Sequence, residues 1–149
     1  MFVPLRVHSV YSKGRSGITL QELGSWAAQK RLPAAALTDI ANIFGWAKWK
    51  RVALSAGFLP LFGCEIRLRR GRFLFLVKTR QGYWNLMETL NHKEIKKTAG
   101  LVLILIPQAR EDDPSEDEGS LEGLPGGEDL YIGADFFNLE KARQRAGKY

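Results

Sequence analysis

The sequence predicts an α/β fold with mostly parallel strands. Short apolar runs alternate with amphipathic, helix-like stretches along the chain. The run Leu101–Ile106 is apolar at every position, as a strand covered on both faces requires. The apolar segment Ala34–Leu37 passes directly into Thr38-Asp39. A carboxylate just past the C-terminal end of a strand is where open sheets and barrels hold their chemistry.

Each element has its own signal. Val3–Val7 alternates weakly and is predicted as a first strand, followed by a loop at Tyr11–Gly17 that is rich in Ser, Gly and Lys. Thr19-Leu20-Gln21-Glu22 is a capping box: the Thr19 hydroxyl can accept from the Glu22 amide, and Glu22 can reach back to the Thr19 amide. The helix it opens runs to about Lys30, with Leu20, Leu23, Trp26 and Ala27 on one face. Pro33 closes the connection to the strand Ala34–Leu37. A helix from about Ile43 to Ser55 ends before Gly57, a C′ glycine. Phe58–Phe62 is predicted as a strand, with Ile66–Arg69 extended after Gly63-Cys64-Glu65. Arg70-Gly71-Arg72 marks a tight turn into the strand Phe73–Val77, and Gln81–Leu90 starts another helix. After Leu101–Ile106, Pro, Gly, Ser, Asp and Glu dominate, predicting a flexible acidic loop over residues 108–129. Leu130–Ile132 is predicted as a strand and Leu139–Ala146 as a helix.

The chain has 149 residues, enough for a single domain over residues 1–149 with a real core. Its lone cysteine, Cys64, permits no internal disulfide and fits a reducing, cytoplasmic setting. The first residues lack the basic and apolar regions of a signal peptide, and no apolar run could span a bilayer, so no membrane partner is expected. Charge is divided unevenly. Residues 1–109 hold 17 Lys and Arg against 5 Asp and Glu, whereas residues 110–129 hold 9 acids and one base. A basic body suits a polyanion such as nucleic acid, or is a solvated surface partly neutralised by the chain's own acidic stretch.

Four segments, in order, carry a resemblance. They are Leu5-Arg6-Val7-His8-Ser9-Val10-Tyr11-Ser12, then Leu37-Thr38-Asp39-Ile40-Ala41-Asn42-Ile43-Phe44-Gly45, then Ala56–Glu65, then Leu76–Leu86. The first three resemble the PHP-domain motifs His-x-His-Ser-x-Tyr-Ser, Thr-Asp-His-Gly-Asn-x-x-Gly and Gly-Ile-x-Pro-Ile-x-Gly-Cys-Glu. The fourth resembles the strand-and-helix unit ending Gly-Tyr-x-Asn-Leu. The form looks like the PHP (polymerase and histidinol phosphatase) domain at the amino terminus of the bacterial DNA polymerase III alpha subunit. The resemblance implies the early portion of a distorted (β/α)7 barrel, whose active members bind two or three metal ions and hydrolyse phosphoesters. Later motifs that would supply further His and Asp ligands have no counterpart, so the domain is incomplete relative to the family.

Carried over position by position, the resemblance puts ligands at His8, Asp39 and Glu65, Arg6 where the first histidine would stand, and Ile40 where the second would stand. A guanidinium cannot coordinate a cation and an isoleucine offers no donor. The expectation is therefore a vestigial site at Arg6, His8, Asp39, Ile40 and Glu65, with no catalytic residue and no cofactor. Arg6 would pair with Asp39 or Glu65 in place of a metal. If the site were active, His8, Asp39 and Glu65 would hold Zn, Mn or Mg. Cys64 and His8 are expected to be structural.

Two basic stretches stand apart. Trp46-Ala47-Lys48-Trp49-Lys50-Arg51 could stack on nucleic acid or place its tryptophans in a core. Arg67, Arg69, Arg70 and Arg72 form a candidate nucleic-acid or acidic-partner patch. The implied role is a non-catalytic scaffold and docking module in DNA replication. Its expected partners are the rest of a DNA polymerase III alpha chain, a proofreading exonuclease subunit and, indirectly, DNA. An exposed sheet edge would favour a second copy. The competing readings are a PHP-type metal-dependent phosphoesterase and a stand-alone PHP-derived binding protein.

Overall fold

The computed structural model describes residues 2–106, 123–125 and 129–133. The chain divides into two compact units, Met1–Glu65 and Ile66–Tyr149. Helix α1 (Leu20–Gln29), strand β1 (Ala34–Leu37) and helix α2 (Trp46–Ala56) belong to the first unit. Strand β2 (Leu59–Leu68) carries the boundary between the units. Strand β3 (Gly71–Val77), helix α3 (Arg80–His92), strand β4 (Leu101–Ile106) and strand β5 (Leu130–Ile132) belong to the second. Among the described residues, no helix is long and apolar enough to cross a membrane.

In the first unit β1 pairs in parallel with β2, Ala34 opposite Leu59 and Leu37 opposite Phe62. The capping box at α1 forms as its spacing dictates: the Glu22 amide donates to Thr19 Oγ1 at 3.3 Å, and the Thr19 amide donates to Glu22 Oε2 at 2.8 Å. Thr19 Oγ1 also donates to Glu22 Oε2 at 2.7 Å, and that bond first, with the Thr19 amide second, holds the Glu22 carboxyl below its usual range. The core joins Leu20, Leu23 and Ala27 of α1, Ala35 and Leu37 of β1, Trp49 and Ala53 of α2, and Phe58. The Trp49 and Phe58 rings lie 5.4 Å apart at a tilt. Helix α2 ends at Gly57, whose φ of +81° is the left-handed cap that glycine adopts without a Cβ penalty.

Three expectations change in this unit. Trp26 does not share the buried face; it is 39% exposed, and Gly24 is buried instead. At 100° per residue the stripe centres on Leu20 and Ala27, and Trp26 falls well off its edge. Val3–Val7 lies beside β1 without forming a strand. The Ala36 and Thr38 amides donate to the Pro4 and Val7 carbonyls at 2.9 Å each, but the Val7 amide turns to Thr38 Oγ1 at 2.8 Å. Pro4 has no N–H to return, so no ladder closes. Helix α2 starts at Trp46, later than Ile43, because Asn42 Oδ1 accepts from the Phe44 amide at 3.2 Å and holds that stretch in a turn.

In the second unit β3 pairs antiparallel with β4, Phe75 opposite Leu103, and β4 pairs in parallel with β5. The sheet is therefore mixed, which corrects the expectation of mostly parallel strands. The reason lies at Gly100, whose carbonyl accepts from the Lys78 amide at 2.9 Å. That bond sets the start of β4 beside the end of β3, which is the antiparallel arrangement. Strand β4 also buries only alternate residues, Leu101, Leu103 and Leu105. They pack in a unit whose other fully buried side chains include Phe73, Phe75 and Leu86. Asn85 Nδ2 on α3 donates to the Ala99 carbonyl at 2.8 Å, tying the helix to the approach of β4. The expected helix Leu139–Ala146 and most of the acidic loop 108–129 lie outside the described residues. Of that loop, Pro125 accepts from Thr98 Oγ1 at 3.2 Å, and Asp129 pairs with Lys78 at 2.7 Å.

Gly82 at the start of α3 packs so closely that an added Cβ would overlap the Gly100 carbonyl oxygen, a backbone atom that cannot swing away. Gly82→Ala should therefore lower unfolding stability by about 2–3 kcal/mol. Urea denaturation followed by circular dichroism reads this as a lower midpoint at an unchanged m-value.

Candidate functional site

The C-terminal ends of β1 and the first-unit part of β2 bring two carboxylates together. The Glu65 amide donates to the Asp39 carbonyl at 3.1 Å and the Ala41 amide to the Glu65 carbonyl at 2.8 Å, so Ile40 bridges to Glu65 in parallel register. Ala41 holds φ at +53°, in the left-handed region, where the motif it resembles has glycine. Both carboxylates are buried. A buried anion needs donors or a cation, and the segment Arg6–Ser12 supplies both kinds.

Glu65 receives the charged partner. Arg6 Nε donates to Oε2 at 2.7 Å and Arg6 Nη2 to Oε1 at 3.2 Å, a two-point guanidinium–carboxylate pair. His8 Nε2 lies 2.9 Å from the same Oε2. Burial raises the Glu65 pKa, but the hydrogen bonds from His8 and Arg6 and their charge outweigh it and bring the carboxyl down to about 2. An ionised carboxylate only accepts, so the His8 tautomer facing it carries its proton on Nε2.

Asp39 is satisfied by neutral donors. The Ser9 amide donates to Oδ1 at 2.6 Å, Ser9 Oγ to Oδ2 at 2.8 Å and Ser12 Oγ to Oδ1 at 2.6 Å. Ser12 Oγ in turn accepts from the Ile40 amide at 3.0 Å. Cys64 is buried, with its thiol directed at the Asp39 carbonyl at 3.2 Å, a packing position. The sequence left Arg6 open to either carboxylate; the structure pairs it with Glu65. It also adds two residues that sequence reasoning passed over, Ser9 and Ser12. Their signal was present: they follow His8 at one and four residues, in the motif opposite a carboxylate with no cation of its own.

This donor set does not fit a divalent cation. Arg6 and His8 occupy the Glu65 oxygens, three short bonds occupy those of Asp39, and Ile40 offers nothing. Among the described residues, no three His, Cys, Asp or Glu side chains converge as a metal would require. The two basic stretches lie elsewhere. Arg67, Arg69 and Arg70 are exposed at the turn between β2 and β3, and Arg70 lies over Gly123. On α2, Trp49 is fully buried and Trp46 packs on Phe62 with rings 5.3 Å apart, so these tryptophans serve the core.

The chain belongs to the PHP domain family, whose model matches residues 4–115. Among its relatives, it is similar to the DNA polymerase III subunit alpha of Caulobacter vibrioides (strain NA1000 / CB15N), at 33% identity over 147 residues. That match covers 91% of this chain and 12% of the relative. It is also similar to the error-prone DNA polymerase of Symbiobacterium thermophilum, at 38% identity over 111 residues, covering 71% of this chain and 10% of the relative. The chain thus spans about a tenth of the length of these curated relatives. A solved structure of a proposed metal-dependent phosphoesterase from Bifidobacterium adolescentis aligns with a TM-score of 0.48 and 20% identity over 58% of this chain and 32% of that one. That likeness is too slight to carry an argument.

The depressed Glu65 carboxyl has a signed consequence. Its stabilising contribution is complete above the ordinary value of 4.5 and is lost as pH falls toward about 2. Arg6 is 45% exposed, so solvent screens part of the pair. Arg6→Ala should cost about 2 kcal/mol at pH 7 and flatten the stability profile between pH 4.5 and 2. Thermal melts of both proteins across that range check it.

Proposed function

We propose that this chain is a non-catalytic PHP domain of a bacterial DNA polymerase III alpha subunit, serving as scaffold and docking module in DNA replication. One observation carries the reading: the Arg6 guanidinium grips the Glu65 carboxylate at two points, where the resemblance implies metal ligands. The family match and the polymerase relatives support the context. Arg6, His8, Asp39, Ile40 and Glu65 are then vestiges of a metal centre, kept because the carboxylates hold the first motif against β1. In this reading the described elements are the early portion of a PHP barrel, and the polymerising carboxylates lie outside this chain. The docking partners are the rest of the alpha chain and a proofreading exonuclease subunit.

The test is metal content and hydrolysis measured together. After incubation with Zn²⁺ or Mn²⁺ and desalting, the protein should retain no stoichiometric metal and should not hydrolyse a chromogenic phosphomonoester. Stoichiometric metal with activity that His8→Ala abolishes would establish the phosphoesterase alternative instead.

A further inference from the structure

The first unit carries a surplus of positive charge that its own acids cannot neutralise. Residues 1–65 contain eight Lys and Arg and three Asp and Glu. All three acids are committed: Glu22 to the capping box, Asp39 to Ser9 and Ser12, Glu65 to Arg6 and His8. Of the eight Lys and Arg, Arg6 is the one seen paired with these acids among the described residues. Lys13, Arg15, Lys30 and Arg31, and the α2 residues Lys48, Lys50 and Arg51, have no ion-pair partner among the described residues.

Helix α2 concentrates this surplus on a rigid element. Its sequence, WAKWKRVALSA, contains no acid. Trp49 and Ala53 point into the core; at 100° per residue Arg51 lies opposite them beside Leu54, which is 61% exposed, with exposed Lys50 on one flank of that face and half-buried Lys48 on the other. The placement works against the helix. Lys48 sits in the first turn, at the positive end of the macrodipole, where an acid would stabilise, and the N-cap Gly45 makes no side-chain bond. Residues that break a local rule without a local gain mark function more often than folding.

We propose that the outer face of α2 binds the phosphate backbone of duplex DNA through Lys48, Lys50 and Arg51, without reading sequence. Trp49 is buried and half-buried Trp46 is engaged with Phe62, so neither is offered for base stacking and the contact is electrostatic. The arginine turn at β2–β3 is the weaker candidate, because Arg67, Arg70 and Arg72 already have interactions of their own. An acidic polypeptide is the competing partner. The proposal is independent of the metal question, since DNA binding and metal retention are separate readouts.

The test is fluorescence anisotropy of a labelled duplex of about 20 base pairs with the full chain across a range of NaCl. Three phosphate contacts predict a contribution of about −2.7 to the slope of log K against log salt, which is about 40-fold in affinity between 50 and 200 mM. The K48A/K50A/R51A variant, built from a strong helix former, should keep its circular dichroism and lose that contribution. Lys48→Glu should weaken DNA binding while raising the melting temperature, a pairing that a structural lysine would not give. An unchanged slope in the triple variant, a lowered melting temperature for Lys48→Glu, or binding to polyglutamate without binding to duplex would each overturn the proposal.

Discussion

The first unit depends on the burial of two carboxylates at neighbouring strand ends. Asp39 and Glu65 are brought side by side by the backbone bonds that run between β1 and β2. Neither can be left bare at that depth, because an unpaired buried anion costs several kcal/mol or more. The chain meets the demand from one segment, Arg6 to Ser12, which reaches across to both. The path of that segment follows from charge satisfaction rather than from a β ladder. Within Val3–Val7 the Val7 amide goes to Thr38 Oγ1 and Pro4 has no amide to give, which is why that stretch lies beside β1 without becoming a strand.

The two carboxylates are satisfied in chemically different ways, and the difference bears on function. Asp39 takes hydroxyl and amide donors that are short, directional and uncharged. Glu65 takes a guanidinium, which supplies the positive charge that a metal would otherwise bring. A guanidinium is tethered to the chain and has no open coordination position at which a water could be activated. Burial draws the Glu65 pKa up, yet it ends near 2 because the Arg6 and His8 contacts prevail. The site is arranged to stay paired and ionised at neutral pH.

Much of the fold was legible wherever the signal is local. The Thr19–Glu22 capping box, the Gly57 cap and the extended character of the apolar runs in β1, β3 and β4 depend on residues a few positions apart, and each formed, although β4 has neither the direction nor the two buried faces expected of it. The misplaced features depend on distant partners. Trp26 shares the general spacing of its apolar neighbours, but only the packing of α1 decided which side of Leu20 was covered. The all-apolar run of β4 concealed that one face is better covered than the other. The direction of β4 against β3 turned on a single carbonyl, Gly100, whose partner lies across a helix and a loop.

The candidate site divides along the same line. From the sequence, the resemblance pointed to His8, Asp39 and Glu65 as one group and implied ligand positions at Arg6 and Ile40, because each identity sits within a short motif. The sequence by itself also determined the excess of cations. Only the tertiary structure decided that Arg6 chooses Glu65 and leaves Asp39 to Ser9 and Ser12. It alone separated the two halves of the Trp46–Arg51 stretch, sending Trp49 inward and Lys50 and Arg51 outward. The physical reason is range. Helix caps and apolar periods act within a few residues, whereas a hydrogen bond across more than fifty positions of chain is chosen by whichever group the folded backbone brings within about 3 Å.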